Sequence, residues 1–131
     1  MFAEKKLVIF DLDGTLIDSL DMWDRVDVEI VRRTSGTAPD PAEMEAFRKE
    51  VLREVADRKD AYVLYCGAIA DRWHLNVTKE DLHAQRYEVA REMLVSGVAW
   101  RKGAVSFVKA LRKHGILTAI ATTTKRRNVD I

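Results

Sequence analysis

The 131-residue sequence predicts an α/β fold in which a parallel sheet is interrupted by an all-helical insert. Two observations carry this prediction. Residues 7–10 form a continuous apolar run, and residues 116–121 form a second apolar run that contains only Thr118 as a polar residue. Both runs end in polar residues, a pattern typical of strands buried on both faces of a parallel sheet. Between them, apolar residues recur at helical spacing over residues 19–95. A strand–helix–strand order of this kind implies a right-handed crossover connection between the two strands.

The insert divides into about four helices, and capping signals mark several of their ends. The first helix is predicted from about Leu20 to Gly36. Asp40 is placed at the N-cap of the second, directly before Pro41, and a charged break near Asp60 separates the second helix from the third. Thr78 opens the fourth helix through a capping box. After Gly97 the pattern changes to a short amphipathic helix closed by Gly115, which leads into the second strand.

Composition limits the classes of partner and location. The chain is 47% hydrophobic and 33% charged, and its 22 Lys and Arg nearly balance 21 Asp and Glu. A formal net charge of +1 therefore gives no reason to expect nucleic acid or a membrane surface as a partner. Cys66 is the single cysteine, so neither a disulfide framework nor a cysteine-based metal site is expected. No apolar run approaches the roughly 18 residues that span a bilayer. Because the first strand starts so early, no signal peptide is expected, and the predicted location is the cytoplasm.

Polar side chains follow both predicted strands at the edge of the sheet where ligands bind in open parallel sheets. Asp11 and Asp13 follow the first strand, and Thr122 follows the second. Because one residue separates the two acids, an extended backbone projects both carboxylates to the same side. Such a pair can bind Mg²⁺, which prefers oxygen ligands, or divide the roles of nucleophile and general acid/base. Gly14 allows the chain to turn away from the acids.

These residues carry a family resemblance. The segment DLDGT (residues 11–15) resembles the DxDGT signature of the haloacid dehalogenase (HAD) superfamily of phosphohydrolases, and residues 120–125 are similar to its second motif, an apolar strand ending in Ser or Thr. The helical insert resembles the cap of the phosphatase and phosphoglucomutase-like branch. The resemblance covers the whole chain. It implies a Rossmann-like core formed by residues 1–17 and 97–131, with an all-α cap at residues 18–96.

The resemblance also implies a Mg²⁺-dependent phosphomonoester hydrolase acting on a small phosphorylated metabolite. Asp11 would attack phosphorus to form an aspartyl-phosphate, and Asp13 would act as general acid and then general base. The carboxylate of Asp11 and the backbone carbonyl of Asp13 would bind Mg²⁺. Thr122, with Thr15, Thr123 and the backbone N–H groups of the adjoining turns, would hold the phosphoryl oxygens.

Two further residues are candidates for contact with the substrate, and each also has a purely structural interpretation. Lys125 begins a run of three cations at the expected start of a helix, where the helix dipole disfavours positive charge unless an anion binds there. It either faces the substrate or belongs to a solvated surface. Trp23 lies one to two helical turns after the first motif, where cap residues of the family overhang the substrate, or it is packed in the cap interior. In the sugar phosphomutases of the family a His stands near this position, so Trp23 favours hydrolysis over a mutase.

Other interpretations of the motifs stay open at the level of sequence. The two acids could cap a turn, and Thr122 could be a β-branched strand end. A non-catalytic module that binds a phosphorylated ligand or a partner is the alternative from another functional class.

The family pattern also includes a third-motif Lys and a fourth motif with paired acids on later strands, and the sequence stops soon after the second motif. Only the N-terminal half of the core is therefore predicted. Two apolar strands would leave sheet edges and faces exposed. We expect the chain to be a fragment, or to be completed by self-association or by another chain, with weak or no phosphatase activity by itself.

Overall fold

The computed structural model describes Glu4 and residues 6–130, which form a parallel two-stranded sheet and six helices. In chain order the elements are β1 (Leu7–Phe10), α1 (Leu20–Ser35), α2 (Pro41–Glu54), α3 (Ala61–Arg72), α4 (Lys79–Ser96), α5 (Ala104–Lys113), β2 (Leu117–Ile120) and α6 (Arg126–Val129). The predicted α/β class and the four inserted helices are confirmed. Contacts divide the described chain into a core unit, up to Asp21 and from Leu94 onward, and a helical unit, Met22–Met93.

The sheet of the core unit is parallel, with Leu7 opposite Leu117 and Phe10 opposite Ile120. Paired residues of parallel strands point to the same face, and successive residues alternate between faces. Helix α5 covers the face that carries Phe10, whose ring meets Phe107 of α5 edge-on with centroids 6.0 Å apart. Leu111 of α5 is buried, at 4% exposure.

The opposite face of the sheet is not buried, as the apolar pattern of the strands alone indicated, but exposed, as expected for a core with only two strands. Leu7, Ile9 and Leu117 are 47%, 60% and 68% exposed. Continuous apolar strands are typical of sheets that have helices on both faces, but in the part of the chain that the structure describes no layer covers this face. We call Leu7, Ile9, Leu117 and Ala119 the open face.

Within the helical unit, the predicted helix starts are confirmed by capping geometry. The Asp40 carboxylate accepts hydrogen bonds from the backbone N–H groups of Ala42 and Glu43, with Pro41 at the first position of α2. Thr78 Oγ1 accepts from the N–H of Asp81 at 3.1 Å. Apolar side chains from all four helices form the interior, among them Met22, Val26, Ile30, Met44, Ile69, Leu82 and Val89.

Two short segments of the core unit run side by side just after the first motif and just before α5. Ile17 and Trp100 form an antiparallel bridge. The Asp18 N–H donates to Ala99 O at 2.8 Å, and the Arg101 N–H donates to Leu16 O at 2.9 Å. This pairing fixes the backbone directly before Ser19. Among the described helices, none has the length and apolar character needed to cross a membrane.

Candidate active site

The chain after β1 folds into a compact turn that holds the first motif at the end of the sheet. The carbonyl of Leu12 accepts from the N–H groups of Thr15, Leu16 and Ile17 at 3.2, 3.0 and 3.2 Å. Leu12 and Leu16 are buried and anchor the turn in the core. Gly14, within this turn, has φ +75°, a conformation that residues with a side chain rarely adopt.

The carboxylate of Asp13 is held by two hydroxyl groups, one for each oxygen. Ser19 Oγ donates to Oδ1 at 2.5 Å, and Thr124 Oγ1 donates to Oδ2 at 2.6 Å. Ser19 is fully buried and Asp13 is half-buried. The second bond joins positions 111 residues apart in the sequence. The turns after β1 and β2 are therefore connected through the side chain of Asp13.

Asp11 has a different environment, although only Leu12 separates it from Asp13. It is exposed, and Thr15 Oγ1 lies 3.4 Å from its Oδ2, a long contact for a hydroxyl donor. The structure thus places Thr15, a predicted phosphate ligand, beside the predicted nucleophile. An exposed carboxylate with one weak contact remains accessible to an incoming electrophile or a metal ion.

The Ala121 N–H donates to Phe10 O at 2.8 Å, which extends the pairing of the two strands to their carboxyl ends. The second motif therefore begins at the same edge of the sheet as the first. The Thr124 N–H donates to Thr122 Oγ1 at 3.1 Å. A hydroxyl that accepts this bond still has its own hydrogen to donate, so Thr122 is suited to bind an anionic oxygen. Thr123 is exposed.

Lys125 directly follows these threonines at the N-cap of the four-residue helix α6. It is exposed, as are the two cations after it, Arg126 and Arg127. Arg126 Nε contacts Asp130 Oδ2 at 2.9 Å. Asp130 therefore neutralises one cation of the run within the helix.

Trp23 lies in the helical unit, where it is half-buried. Its ring meets the ring of Tyr87 at 6.2 Å between centroids, and the guanidinium of Arg86 lies 4.5 Å from its ring centroid. Trp23 is thus in contact with its own unit, in agreement with the packing alternative, and its predicted contact with a substrate stays a prediction.

The predicted Mg²⁺ ligands can be tested against the chemistry of these donors. Among residues 6–130, no group of three or more His, Cys, Asp and Glu side chains is arranged to hold a metal ion. Asp11 offers an exposed carboxylate, whereas both carboxylate oxygens of Asp13 already accept hydroxyl bonds. The Asp11 carboxylate and the Asp13 backbone carbonyl are hard oxygen donors, and Mg²⁺ is often bound by one or two protein ligands and several waters. These residues therefore fit part of a Mg²⁺ site.

Two residues of this site, Ser19 and Thr124, were not among the sequence candidates. Ser19 follows Asp18 at the start of the insert and has no spacing that points to Asp13. Thr124 is the third of three identical residues, and only the tertiary fold distinguishes it from Thr122. Both were recognisable in sequence only as hydroxyls near the motifs.

Comparison with known families decides the classification. The model of the haloacid dehalogenase-like hydrolases matches residues 5–130. The chain belongs to this family. The resemblance inferred from residues 11–15 and 120–125 is thereby confirmed. A comparison with curated protein sequences gave no match.

Solved structures of HAD proteins share the fold. The chain is similar to a family IA, variant 3 HAD hydrolase of Entamoeba histolytica, with TM-score 0.66 and 22% identity over 96% of this chain and 52% of the other. A candidate β-phosphoglucomutase of Thermotoga maritima matches with TM-score 0.73 and 16% identity. The match covers 95% of this chain and 52% of the other. The candidate HAD hydrolase YfnB of Bacillus subtilis, in a structure with bound magnesium, matches with TM-score 0.73 and 13% identity. The match covers 96% of this chain and 56% of YfnB. The chain spans about half the length of these proteins.

Proposed function

We propose that this HAD-like hydrolase is a Mg²⁺-dependent phosphomonoesterase that works through an aspartyl-phosphate on Asp11. The observation that carries the proposal is the contrast between two acids one residue apart. Asp11 is exposed and weakly bonded, as a nucleophile must be, whereas Asp13 is fixed at both oxygens, as a proton-transfer group should be.

The reaction divides into two displacements at phosphorus. In the first, an Asp11 carboxylate oxygen bonds to phosphorus, the bond from phosphorus to the ester oxygen breaks, and Asp13 gives its proton to that leaving oxygen. In the second, Asp13 takes a proton from water as the water oxygen bonds to phosphorus. The bond from phosphorus to Asp11 then breaks, and inorganic phosphate leaves with Asp11 regenerated. Asp13 serves both steps because it is deprotonated by the first and reprotonated by the second.

Phosphate binding is assigned to groups around the two turns. Thr122, which accepts a bond from the Thr124 N–H, donates its hydroxyl hydrogen to a phosphoryl oxygen. Thr15, beside Asp11, and the exposed Thr123 belong to the two motifs and are the additional donors. Lys125, exposed directly after the threonines, supplies positive charge. The Asp11 carboxylate and the Asp13 backbone carbonyl would hold Mg²⁺, which screens the repulsion between carboxylate and phosphate.

The substrate class we propose is a small phosphorylated metabolite, with the helical unit as a cap and Trp23 as its candidate contact. A cytoplasmic location belongs to the same proposal, and the free, buried Cys66 is compatible with a reducing compartment. Hydrolysis is preferred to a mutase reaction because, by the family resemblance, the sugar phosphomutases have a His near the position of Trp23.

A second candidate function is a non-catalytic module that binds a phosphorylated ligand. It stands as the alternative because the chain spans 52–56% of the length of the HAD proteins it resembles, so similarity of fold does not by itself extend their activity to this chain. The two intact motif acids favour the enzyme, because binding alone does not need a nucleophile.

The test is Mg²⁺-dependent hydrolysis of p-nitrophenyl phosphate by the wild type and by Asp11→Asn. Since weak activity is expected of this chain by itself, the enzyme proposal expects low but measurable turnover in the wild type and a loss on the order of 10²- to 10⁴-fold or more in the variant. Equal rates in the two proteins, including no turnover in either, contradict it. Phosphate binding by both proteins, measured by calorimetry, would then favour the binding module.

A further inference from the structure

We propose that Ser19 and Thr124 are positioning residues that hold the carboxylate of Asp13 in one orientation for both proton transfers. This inference rests on the proposed function of Asp13 and deepens it. Its basis is the pair of bonds from Ser19 Oγ to Oδ1 at 2.5 Å and from Thr124 Oγ1 to Oδ2 at 2.6 Å. These lengths are typical of a hydroxyl donating to a charged carboxylate.

The two donors are themselves held by independent parts of the core unit. Ser19 is fully buried and directly follows Asp18, whose N–H is bonded to Ala99 O at 2.8 Å. Thr124 is held by its own N–H, which donates to Thr122 Oγ1 at 3.1 Å. Neither hydroxyl is free to follow a rotation of the Asp13 carboxylate. Such a rotation would break both bonds at once.

Hydroxyl groups suit this task because they can donate or accept. When Asp13 is a carboxylate, both hydroxyls donate to it, as the structure shows. When Asp13 carries the proton, the hydroxyl beside the protonated oxygen can accept from it instead. The orientation therefore persists through both protonation states. An amide or ammonium donor with fixed hydrogens would oppose the protonated state.

Thr124 also connects the proton-transfer group to the phosphate-binding group. Its hydroxyl donates to Asp13 while its N–H donates to Thr122, the predicted phosphate ligand. A single residue thus fixes the general acid/base relative to the hydroxyl that would hold the phosphoryl oxygens. Removal of the Thr124 hydroxyl is expected to disturb proton transfer before it disturbs substrate binding, because the hydroxyl donates to Asp13 whereas the backbone N–H makes the bond to Thr122.

The kinetic test compares Thr124→Val, which keeps the shape but removes the hydroxyl, with Thr124→Ser, which keeps the hydroxyl. With p-nitrophenyl phosphate and Mg²⁺, we expect Thr124→Val to lower kcat about ten-fold or more with KM changed less than about two-fold, and Thr124→Ser to retain most of kcat. Ser19→Ala should behave as Thr124→Val does. Ser106→Ala, which removes an exposed hydroxyl bonded to Gly103 O, is the matched control and should leave both constants unchanged.

A second measurement does not depend on turnover. Hydroxyl protons held by strong bonds exchange slowly, so proton NMR of the wild type should show protected hydroxyl signals for Ser19 and Thr124. In Asp13→Asn the side chain offers one acceptor oxygen in place of two, and one of the signals should be lost.

The outcomes separate this inference from the proposed function. Protected hydroxyls together with the kcat losses support it. Unchanged kcat in Thr124→Val and Ser19→Ala, or an equal loss in Thr124→Ser, overturns the positioning role while leaving the phosphatase proposal intact. Absence of both protected signals overturns the bonding arrangement. Protected signals in a wild type without turnover overturn the phosphatase proposal, and the proton-transfer role with it.

Discussion

The guanidinium of Arg86 donates to both carboxylate oxygens of Asp27 in the interior of the helical unit. Nε lies 2.6 Å from Oδ1 and Nη2 lies 3.3 Å from Oδ2, while the Tyr65 hydroxyl donates to Oδ2 at 2.9 Å. Burial is the largest influence on the pKa of Arg86 and lowers it, but the charge of Asp27 and its hydrogen bonds, together with smaller contributions from neighbouring groups, raise the pKa overall. Burial, followed by the charge of Asp27, raises the pKa of Tyr65. Arg86 therefore stays charged and Tyr65 stays neutral.

Breaking this ion pair from one side should be strongly destabilising. Arg86→Met removes the closest cation of the buried Asp27 carboxylate and leaves Arg48, whose Nη1 lies 4.0 Å from Oδ2. We expect a loss of about 3–5 kcal/mol in the free energy of unfolding, measured by urea denaturation. The double variant Asp27→Leu with Arg86→Met should recover part of this loss because neither charge remains. Arg33→Met is the control, since its ion pair with Glu92 is exposed and should contribute little. Equal effects of Arg86→Met and Arg33→Met would contradict the prediction.

Cys66 should be unreactive in the folded protein. Burial, the largest influence, raises the pKa of its thiol to about 12, so little thiolate exists near neutral pH. We expect iodoacetamide at pH 8 to label Cys66 only after urea unfolding, as measured by mass spectrometry. The pKa of the thiol is higher in the folded protein than its ordinary value of 9.0, so the folded state favours the protonated thiol. The contribution of Cys66 to the free energy of unfolding is therefore fully present below pH 9 and is lost as the pH rises towards 12. Rapid labelling without denaturant would show that the thiol is accessible.

The sequence was sufficient for the elements but not for the contacts between distant residues. Apolar periodicity and the caps at Asp40 and Thr78 are local signals, so the four inserted helices could be predicted. The bonds of Asp13 to Ser19 and Thr124, and of Asp27 to Arg86, depend on how separate segments meet, and no spacing encodes them.

Strand burial failed for a different reason. The apolar content of residues 7–10 and 117–120 reports what the strands are suited to contact, and it was interpreted as burial on both faces. In the described residues, one face has α5 and the other has no covering layer, so the same residues are exposed. The apolar pattern of a strand predicts only a preference for burial, and the exposure of a face followed instead from the small number of predicted strands.

Gly14→Ala should lower the free energy of unfolding by more than the backbone strain that a positive φ causes in a residue with a side chain. A Cβ at Gly14 would lie 3.0 Å from Cγ, Cδ1 and Cδ2 of Leu20, whereas one at Gly36, with φ +83°, meets nothing within 4 Å. Gly36→Ala therefore measures the backbone strain alone, about 1–2 kcal/mol of unfolding free energy. Gly14→Ala should lose more, and adding Leu20→Ala should relieve the contact. Equal losses in the two single variants, by urea denaturation, would show that Leu20 moves aside freely.

Lys125→Met tests whether this cation contacts the phosphoryl group. If Lys125 attracts the dianionic substrate, removal of its charge should raise KM for p-nitrophenyl phosphate several-fold. Added salt screens this attraction, so the difference in KM between the variant and the wild type should decrease as the salt concentration rises. Lys113→Met, which removes an exposed cation from the last turn of α5, is the matched control. An unchanged KM in Lys125→Met would assign the residue to the solvated surface.

The open face should cause the chain to associate with a second copy. Leu7, Ile9 and Leu117 expose apolar side chains next to one another across a sheet of two strands, and such contiguous surface favours association. In sedimentation velocity we expect the apparent mass to rise with protein concentration. Leu117→Lys places a charge on the open face of each of the two associating chains, so it should shift the protein towards the monomer. Val95→Lys, at an exposed apolar position on α4, is the control and should leave the mass unchanged. A wild type that stays monomeric at every concentration would contradict self-association through this face.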